Sequence, residues 1–207
     1  MVLAQKPPEP TCKAKVDVGF ILDSSGSLRN DYQNEKDFLK ALAGAFGVSE
    51  DGSRASVLTF SYYSDLSIKF KDHFDQSSFD AAVDAIPLMG STTRIDRALR
   101  LTQKEMFLEA NGARLNLPKI LILLTDGSQT QDAGAEDPGD IADELRQSGI
   151  SVIVIGIGPG TNQTELNHMA GGPDNAFSAA SFDELIGGDF IKQLTDKSCK
   201  VGKLKDD

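Results

Sequence analysis

Tryptophan is absent from this chain, and histidine and cysteine each occur only twice in 207 residues. His73 and His168 fall at expected surface positions, away from any candidate nucleophile. No G-x-S-x-G elbow is present either, so the nucleophile–base pairing of a serine hydrolase is missing. The longest apolar runs, KILILLT and ISVIVIGIG, are strand-sized and too short to cross a bilayer, so no membrane insertion is expected. Basic charge is scarce: 21 Lys and Arg against 31 Asp and Glu leave a formal net charge of −10. A nucleic-acid binder needs a basic face to displace counterions, and this chain has no excess from which to build one. Cations and basic partners remain compatible with it.

The two cysteines bracket almost the whole sequence at Cys12 and Cys199. Neither sits within a core pattern, which favours a disulfide joining the ends over two buried thiols, and with it an oxidising compartment. The opening MVLAQKPPEP lacks the apolar centre of a signal peptide, so the signal of a secreted form is expected outside this sequence. Residues 1–11, with three prolines, read as a flexible lead-in and 200–207 as a flexible tail, leaving 12–199 as one domain.

Within that domain strands and helices alternate. The pattern predicts a strand over 16–23, then a helix whose face carries Leu28, Tyr32, Leu39, Leu42 and Phe46 and which ends at Gly47. RASVLTFSYY and LSIKFK read as a hairpin joined at Ser64-Asp65. A helix over 75–86 follows, then another from Thr93 or Arg94 with Ala98, Leu99, Thr102 and Met106 inward. KILILLT and ISVIVIGIG read as strands buried on both faces. Between them, Asp137 caps a helix opened by Pro138 and closed before Gly149. A helix over 163–170, a brief strand over 176–178 and a final helix from 181 to about 195 complete the series. Such alternation specifies a doubly wound α/β domain of about six strands. It is mostly parallel, with one antiparallel edge strand and helices on both faces.

In open sheets of this kind ligands bind beyond the carboxyl ends of the strands, where the strand order reverses. Two of the expected core strands end in aspartate: Asp23 in DSSGS and Asp126 in TDG. Two carboxylates meeting across the reversal repel each other, and a cation between them removes the repulsion. Ser25 and Ser27 can turn both hydroxyls to the same point, with Gly26 folding the backbone between them. Carboxylates and hydroxyls are hard oxygen donors suited to Mg²⁺, Mn²⁺ or Ca²⁺ and poorly suited to zinc.

These residues carry a family resemblance. D-x-S-x-S at Asp23, Ser25 and Ser27, then the threonine five residues before A-L at Thr93 in TTRIDRAL, then TDG at Asp126, resemble the von Willebrand factor type A domain. That family includes the inserted domains of integrins and the A modules of matrilins and collagen VI. The likeness covers about residues 16–197. It implies a metal-ion-dependent adhesion site in which Asp23, Ser25, Ser27, Thr93 and Asp126 hold one divalent cation, Mg²⁺ first, directly or through water. An Asp or Glu of the partner then completes the coordination. In integrin inserted domains it also implies a shift of the last helix on binding, which a Cys12–Cys199 bond would restrain.

Other readings explain less. A helix N-cap accounts for DSSGS but not for Thr93 and Asp126. An aspartyl phosphotransferase needs a second acid two residues on, where Ser25 stands. GIGPG lacks the G-x-G-x-x-G spacing of a dinucleotide loop and reads as a tight turn. The acidic DAGAEDPGD offers a second cation site but reads better as a solvated loop running into the helix capped at Asp137, and NQT at Asn162 reads as a glycosylation sequon. The chain is therefore expected to be a non-enzymatic, secreted adhesion or matrix module that binds collagen or another matrix protein through the cation. The alternative is an assembly module that uses other faces and leaves the metal idle.

Overall fold

The computed structural model describes residues 15–186 and 188–203. The lead-in, the end of the tail and the expected Cys12–Cys199 bridge lie outside the described residues. Six strands form one sheet in the order β3-β2-β1-β4-β5-β6. They are β1 (Asp17–Asp23), β2 (Arg54–Phe60), β3 (Ser64–Ile68), β4 (Lys119–Thr125), β5 (Ile150–Ile157) and β6 (Ala176–Ala179). Only β2 and β3 pair antiparallel; the other neighbours are parallel. The doubly wound architecture expected from the alternation is the observed one.

Both faces of the sheet are covered, and the strands show why. Along β4, Ile120, Ile122 and Leu124 join one core while Leu121 and Leu123 join the other. Successive side chains of a strand point to opposite faces, so an unbroken apolar run is what a doubly covered strand requires. The first core packs under α1 (Tyr32–Phe46), α2 (Gln76–Asp84), α6 (Phe182–Ile186) and α7 (Gly188–Lys203), through Phe38, Leu39, Leu42, Phe79 and Leu194. The second packs under α3 (Ile95–Leu101), α4 (Pro138–Gln147) and α5 (Gln163–Ala170), through Leu99, Ile141, Leu145, Leu166 and Met169. Among the described residues no helix is long and apolar enough to cross a membrane.

Several boundaries differ from the sequence reading, each for a local reason. The hairpin turns at residues 61–63, not at Ser64-Asp65, because main-chain partners take the end of β2. The Ser24 amide donates to Phe60 O (2.6 Å) and the Arg94 amide to Ser61 O (3.0 Å). A short 3₁₀ turn, Gly26–Asn30, precedes α1, which closes at Gly47 in the left-handed conformation (φ 72°). Helix α6 ends at Ile186 and α7 spans Gly188–Lys203, past the end expected near 195 and into the expected tail, while residue 187 lies outside the described residues.

Three features position the strand ends. The β1–β2 ladder runs to Asp23↔Phe60 and the β4–β5 ladder to Thr125↔Gly156. The β1–β4 ladder between them stops at Ile21↔Leu123. The two central strands thus part over their last residues, at the point where the strand order reverses. Beside this opening Arg94 is fully buried and holds the loop after β4 against α3. It donates to both oxygens of Asp96 (2.8 and 2.6 Å), to Asp132 Oδ1 (2.6 Å) and to Gly134 O (3.2 Å). Burial opposes ionisation of Asp96, but the paired Arg94 bonds outweigh it and bring its pKa down to about 2.

Removing one partner of a buried pair strands the other charge. Arg94→Met should therefore cost about 3–5 kcal/mol in urea unfolding, and Arg94→Met with Asp96→Leu should recover much of it. A single-variant loss under about 1 kcal/mol, the level of an exposed pair, would show that the pair is not buried in solution.

Candidate metal centre

Asp23 closes β1 and is fully buried. Its Oδ1 accepts the Ser25 amide (2.8 Å) and its Oδ2 accepts the Thr125 hydroxyl (2.7 Å). Thr125 is the last residue of β4, so this side-chain bond spans the gap where the ladder has ended. The Ser25 and Ser27 hydroxyls stand 3.0 Å apart, and Ser27 donates to Asp126 Oδ1 (2.9 Å). Asp23, Ser25, Ser27 and Asp126 therefore form one hydrogen-bonded row across the β1–β4 opening.

Thr93 reaches the same place by another route. Ser24 turns away from the row, its Oγ accepting the Met89 amide (2.7 Å) and its carbonyl the Gly90 amide (2.8 Å). Gly26 donates to Ser91 O (2.8 Å), so the DSSGS turn is laced to the loop that carries Thr93. Thr93 in turn exchanges bonds with Thr130: its amide donates to Thr130 Oγ (3.2 Å), and the Thr130 amide to Thr93 O (2.8 Å). The Thr93 hydroxyl is not bonded to the other four residues, but a Cβ on Gly127 would lie 3.7 Å from it. The Thr93 hydroxyl therefore faces the backbone of the residue after Asp126.

Other parts of the site gave weaker signals in the sequence. In GIGPG the turn occupies only 158–160, with Gly158 at φ 75°, because Gly156 and Ile157 still belong to β5. It also closes on the site: a Cβ on Gly160 would stand 2.5 Å from the Asp126 carbonyl, so only glycine permits that approach. Glu35 was missed. It is fully buried, and its Oε1 accepts the Asp23 amide (3.0 Å). The series Leu28, Tyr32, Leu39, Leu42, Phe46 leaves one gap in its three- and four-residue spacing, and Glu35 fills that gap. A charged residue inside a buried helical stripe was the available signal. Beside Ser27 and Asp126 a cleft of about 380 Å³ opens, walled by Leu28, Ile157, Pro159 and Phe182. The acidic loop meets His168: its ring nitrogens lie 3.5 Å from Asp137 and 3.7 Å from Asp140, all three exposed. Asp137 caps α4 through the Gly139 amide (2.8 Å), as expected.

The electrostatics at the row are unfavourable without a cation. Burial pushes the Asp23 carboxyl from its ordinary 3.8 up to about 6. The Thr125 and Ser25 hydrogen bonds resist that rise, and the Asp126 charge adds to it. Burial, and then the Asp23 charge, hold Glu35 well above the usual carboxylate range. Among the described residues no lysine or arginine pairs with Asp23 or Asp126. Two carboxylates and three hydroxyls, with open space beside them, suit a hard divalent cation. The residues present fit such an ion.

A doubly wound sheet with an oxygen-donor row at its reversal defines a class of domain, and the comparisons narrow it. Residues 17–194 match the family model described as von Willebrand factor type A domain, and the chain belongs to that family. It is 32% identical over 179 residues to the human (Homo sapiens) collagen alpha-6(VI) chain, covering 86% of this chain and 8% of that protein. Among solved structures it resembles proximal thread matrix protein 1 from the mussel byssus. The TM-score is 0.83 at 28% identity, covering 91% of this chain and 48% of that one. Another structure of that protein, described as having a zinc-occupied MIDAS motif, has a TM-score of 0.78 at 28% identity and covers 90% of this chain and 47% of that one. The chain thus spans about half of the byssus protein and a small part of the collagen chain.

The raised Asp23 carboxyl has a measurable consequence in EDTA. Folded Asp23 binds its proton more tightly than unfolded Asp23, so the stability it contributes is complete below about pH 4 and is lost as pH rises through about 6. Asp23→Asn never ionises. It should match wild type near pH 4 and exceed it by up to about 3 kcal/mol at pH 7, the value of a two-unit shift. Parallel stability curves for the two chains would contradict the assignment.

Proposed function

We propose that Asp23, Ser25, Ser27, Thr93 and Asp126 hold a divalent cation, and that the chain is an adhesion or matrix module that grips a protein partner there. The observation that carries this is the row itself: two carboxylates and two hydroxyls joined across the β1–β4 opening, one carboxylate fully buried, with no lysine or arginine paired to either carboxylate among the described residues. A bound cation would supply an open coordination position for a carboxylate of the partner. Around it, this chain's own residues do the rest. Ser25 N–H and Thr125 Oγ fix Asp23, Ser27 fixes Asp126, and the Gly160 turn braces the Asp126 backbone. The cleft beside Ser27 and Asp126 leaves room for the partner's neighbouring side chains.

Hard oxygen donors favour Mg²⁺, with Mn²⁺ or Ca²⁺ as substitutes. The zinc recorded for the mussel protein makes zinc a necessary competitor in any titration. The collagen chain and thread matrix protein among the relatives support an extracellular, non-enzymatic setting and a matrix partner, collagen among them. The second reading is a module that joins an assembly through other faces with its metal idle. An extracellular setting also gives meaning to Asn162 and the two cysteines. Asn162 is exposed and caps α5 through its Oδ1, which leaves Nδ2 free to carry a glycan on the metal-bearing end of the sheet. We read Cys12 and Cys199 as a bond that closes a single domain over 12–199.

Asp126→Ala should abolish the calorimetric signal of Mg²⁺ or Mn²⁺ binding while the circular dichroism spectrum stays that of wild type. Wild-type binding to immobilised collagen should vanish in EDTA. A variant that titrates like wild type overturns the metal assignment, and collagen binding indifferent to EDTA supports the second reading. Non-reducing peptide mass spectrometry of protein from its native source should show a glycan on Asn162 and a linked Cys12–Cys199 peptide pair. Bare Asn162 or free thiols would remove the corresponding part of the reading.

A further inference from the structure

Glu35 is a carboxyl where the fold calls for an apolar side chain. It lies on the buried face of α1 between Tyr32 and Phe38, fully inaccessible to solvent. Its Oε2 has no hydrogen-bond partner among the described residues. A buried polar atom without a partner is costly and calls for an explanation. Its other oxygen supplies one.

Successive amides of a central strand alternate between its two neighbours. The Ser24 amide donates to Phe60 O at the end of β2, so the Asp23 amide belongs to the β4 side. On that side the ladder has already ended, at Ile21↔Leu123. The parting that opens the site therefore orphans the amide of the very residue whose carboxylate anchors it. A buried amide without an acceptor destabilises that backbone. Glu35 Oε1, 3.0 Å away, is the acceptor.

We infer that Glu35 is a positioning residue for the cation site: α1 supplies the acceptor that β4 has given up, and so fixes the backbone of Asp23 in the opened crevice. With that backbone held, the carboxylate stays on the Ser25 amide and the Thr125 hydroxyl, in line with Ser27 and Asp126. The inference rests on the reading of this row as a cation site. It assigns Glu35 no contact with the cation.

The test uses the full chain with Glu35→Met, which fills the same space without an acceptor, and Glu35→Gln, whose Oε1 can take the same amide. Melting temperature and hydrogen exchange of the Asp23 amide are read in EDTA, and Mn²⁺ affinity by calorimetry. Glu35→Met should remain folded, exchange the Asp23 amide faster, and bind Mn²⁺ about ten- to a hundredfold more weakly, as loss of an outer-shell partner does. Glu35→Gln should restore both exchange and affinity toward wild type, because the acceptor is kept. A Met variant that binds Mn²⁺ as wild type does overturns the inference alone. So does a Gln variant as weak as the Met variant, or a Met variant that loses the fold, since Glu35 would then be structural. A wild-type chain that binds no Mn²⁺ overturns the reading of the site and this inference with it.

Discussion

The parting of β1 from β4 is the constraint on which the rest of this structure depends. Over Asp17–Ile21 the two strands make a regular parallel ladder, and beyond Ile21↔Leu123 they make none. Everything polar at the site answers to that gap. The Asp23 carboxylate reaches across it to Thr125, its amide turns to Glu35, and the Ser25–Ser27–Asp126 row lies over its mouth. At the reversal the connections after β1 and β4 leave toward opposite faces, to α1 and to α4, and a crevice is left between the carboxyl ends of the two strands. This chain lines the opening with oxygen.

Such a lining is expensive in a protein interior. Asp23 and Glu35 are fully buried, and burial lifts both carboxyls above their ordinary range. Arg94 shows the contrasting solution a few residues away. There a buried carboxylate, Asp96, is met by a guanidinium and kept ionised. The same fold thus holds one buried carboxylate paired with a guanidinium and, among the described residues, a second with no such partner. That difference is the physical basis for assigning the second to an external cation.

Much of this was legible in the sequence because the signals were repeated. The unbroken apolar runs of β4 and β5 gave strands buried on both faces, and the Asp137-Pro138 start gave α4 its cap. Asp23 and Asp126 were readable as strand ends, and Thr93 through the family motif. What escaped were features decided by tertiary contact. The hairpin turn moved because Ser24 and Arg94 claim the end of β2, a pairing no local pattern encodes. Gly160 read as one glycine of a turn, since its closeness to Asp126 depends on how two loops pack. Glu35 was overlooked because a helix position is judged by its neighbours, and its neighbours are core.

If the β1–β4 opening is a cation site, the ion can be located there. Crystals of the chain grown with Mn²⁺ would be examined by anomalous diffraction at the manganese edge. One strong peak is expected in the mouth of the opening, within coordination distance of the Ser25 and Ser27 hydroxyls and bounded by Asp23, Thr93 and Asp126. A peak only at the exposed Asp137–Asp140–His168 group, or no peak in the opening at saturating Mn²⁺, would contradict it.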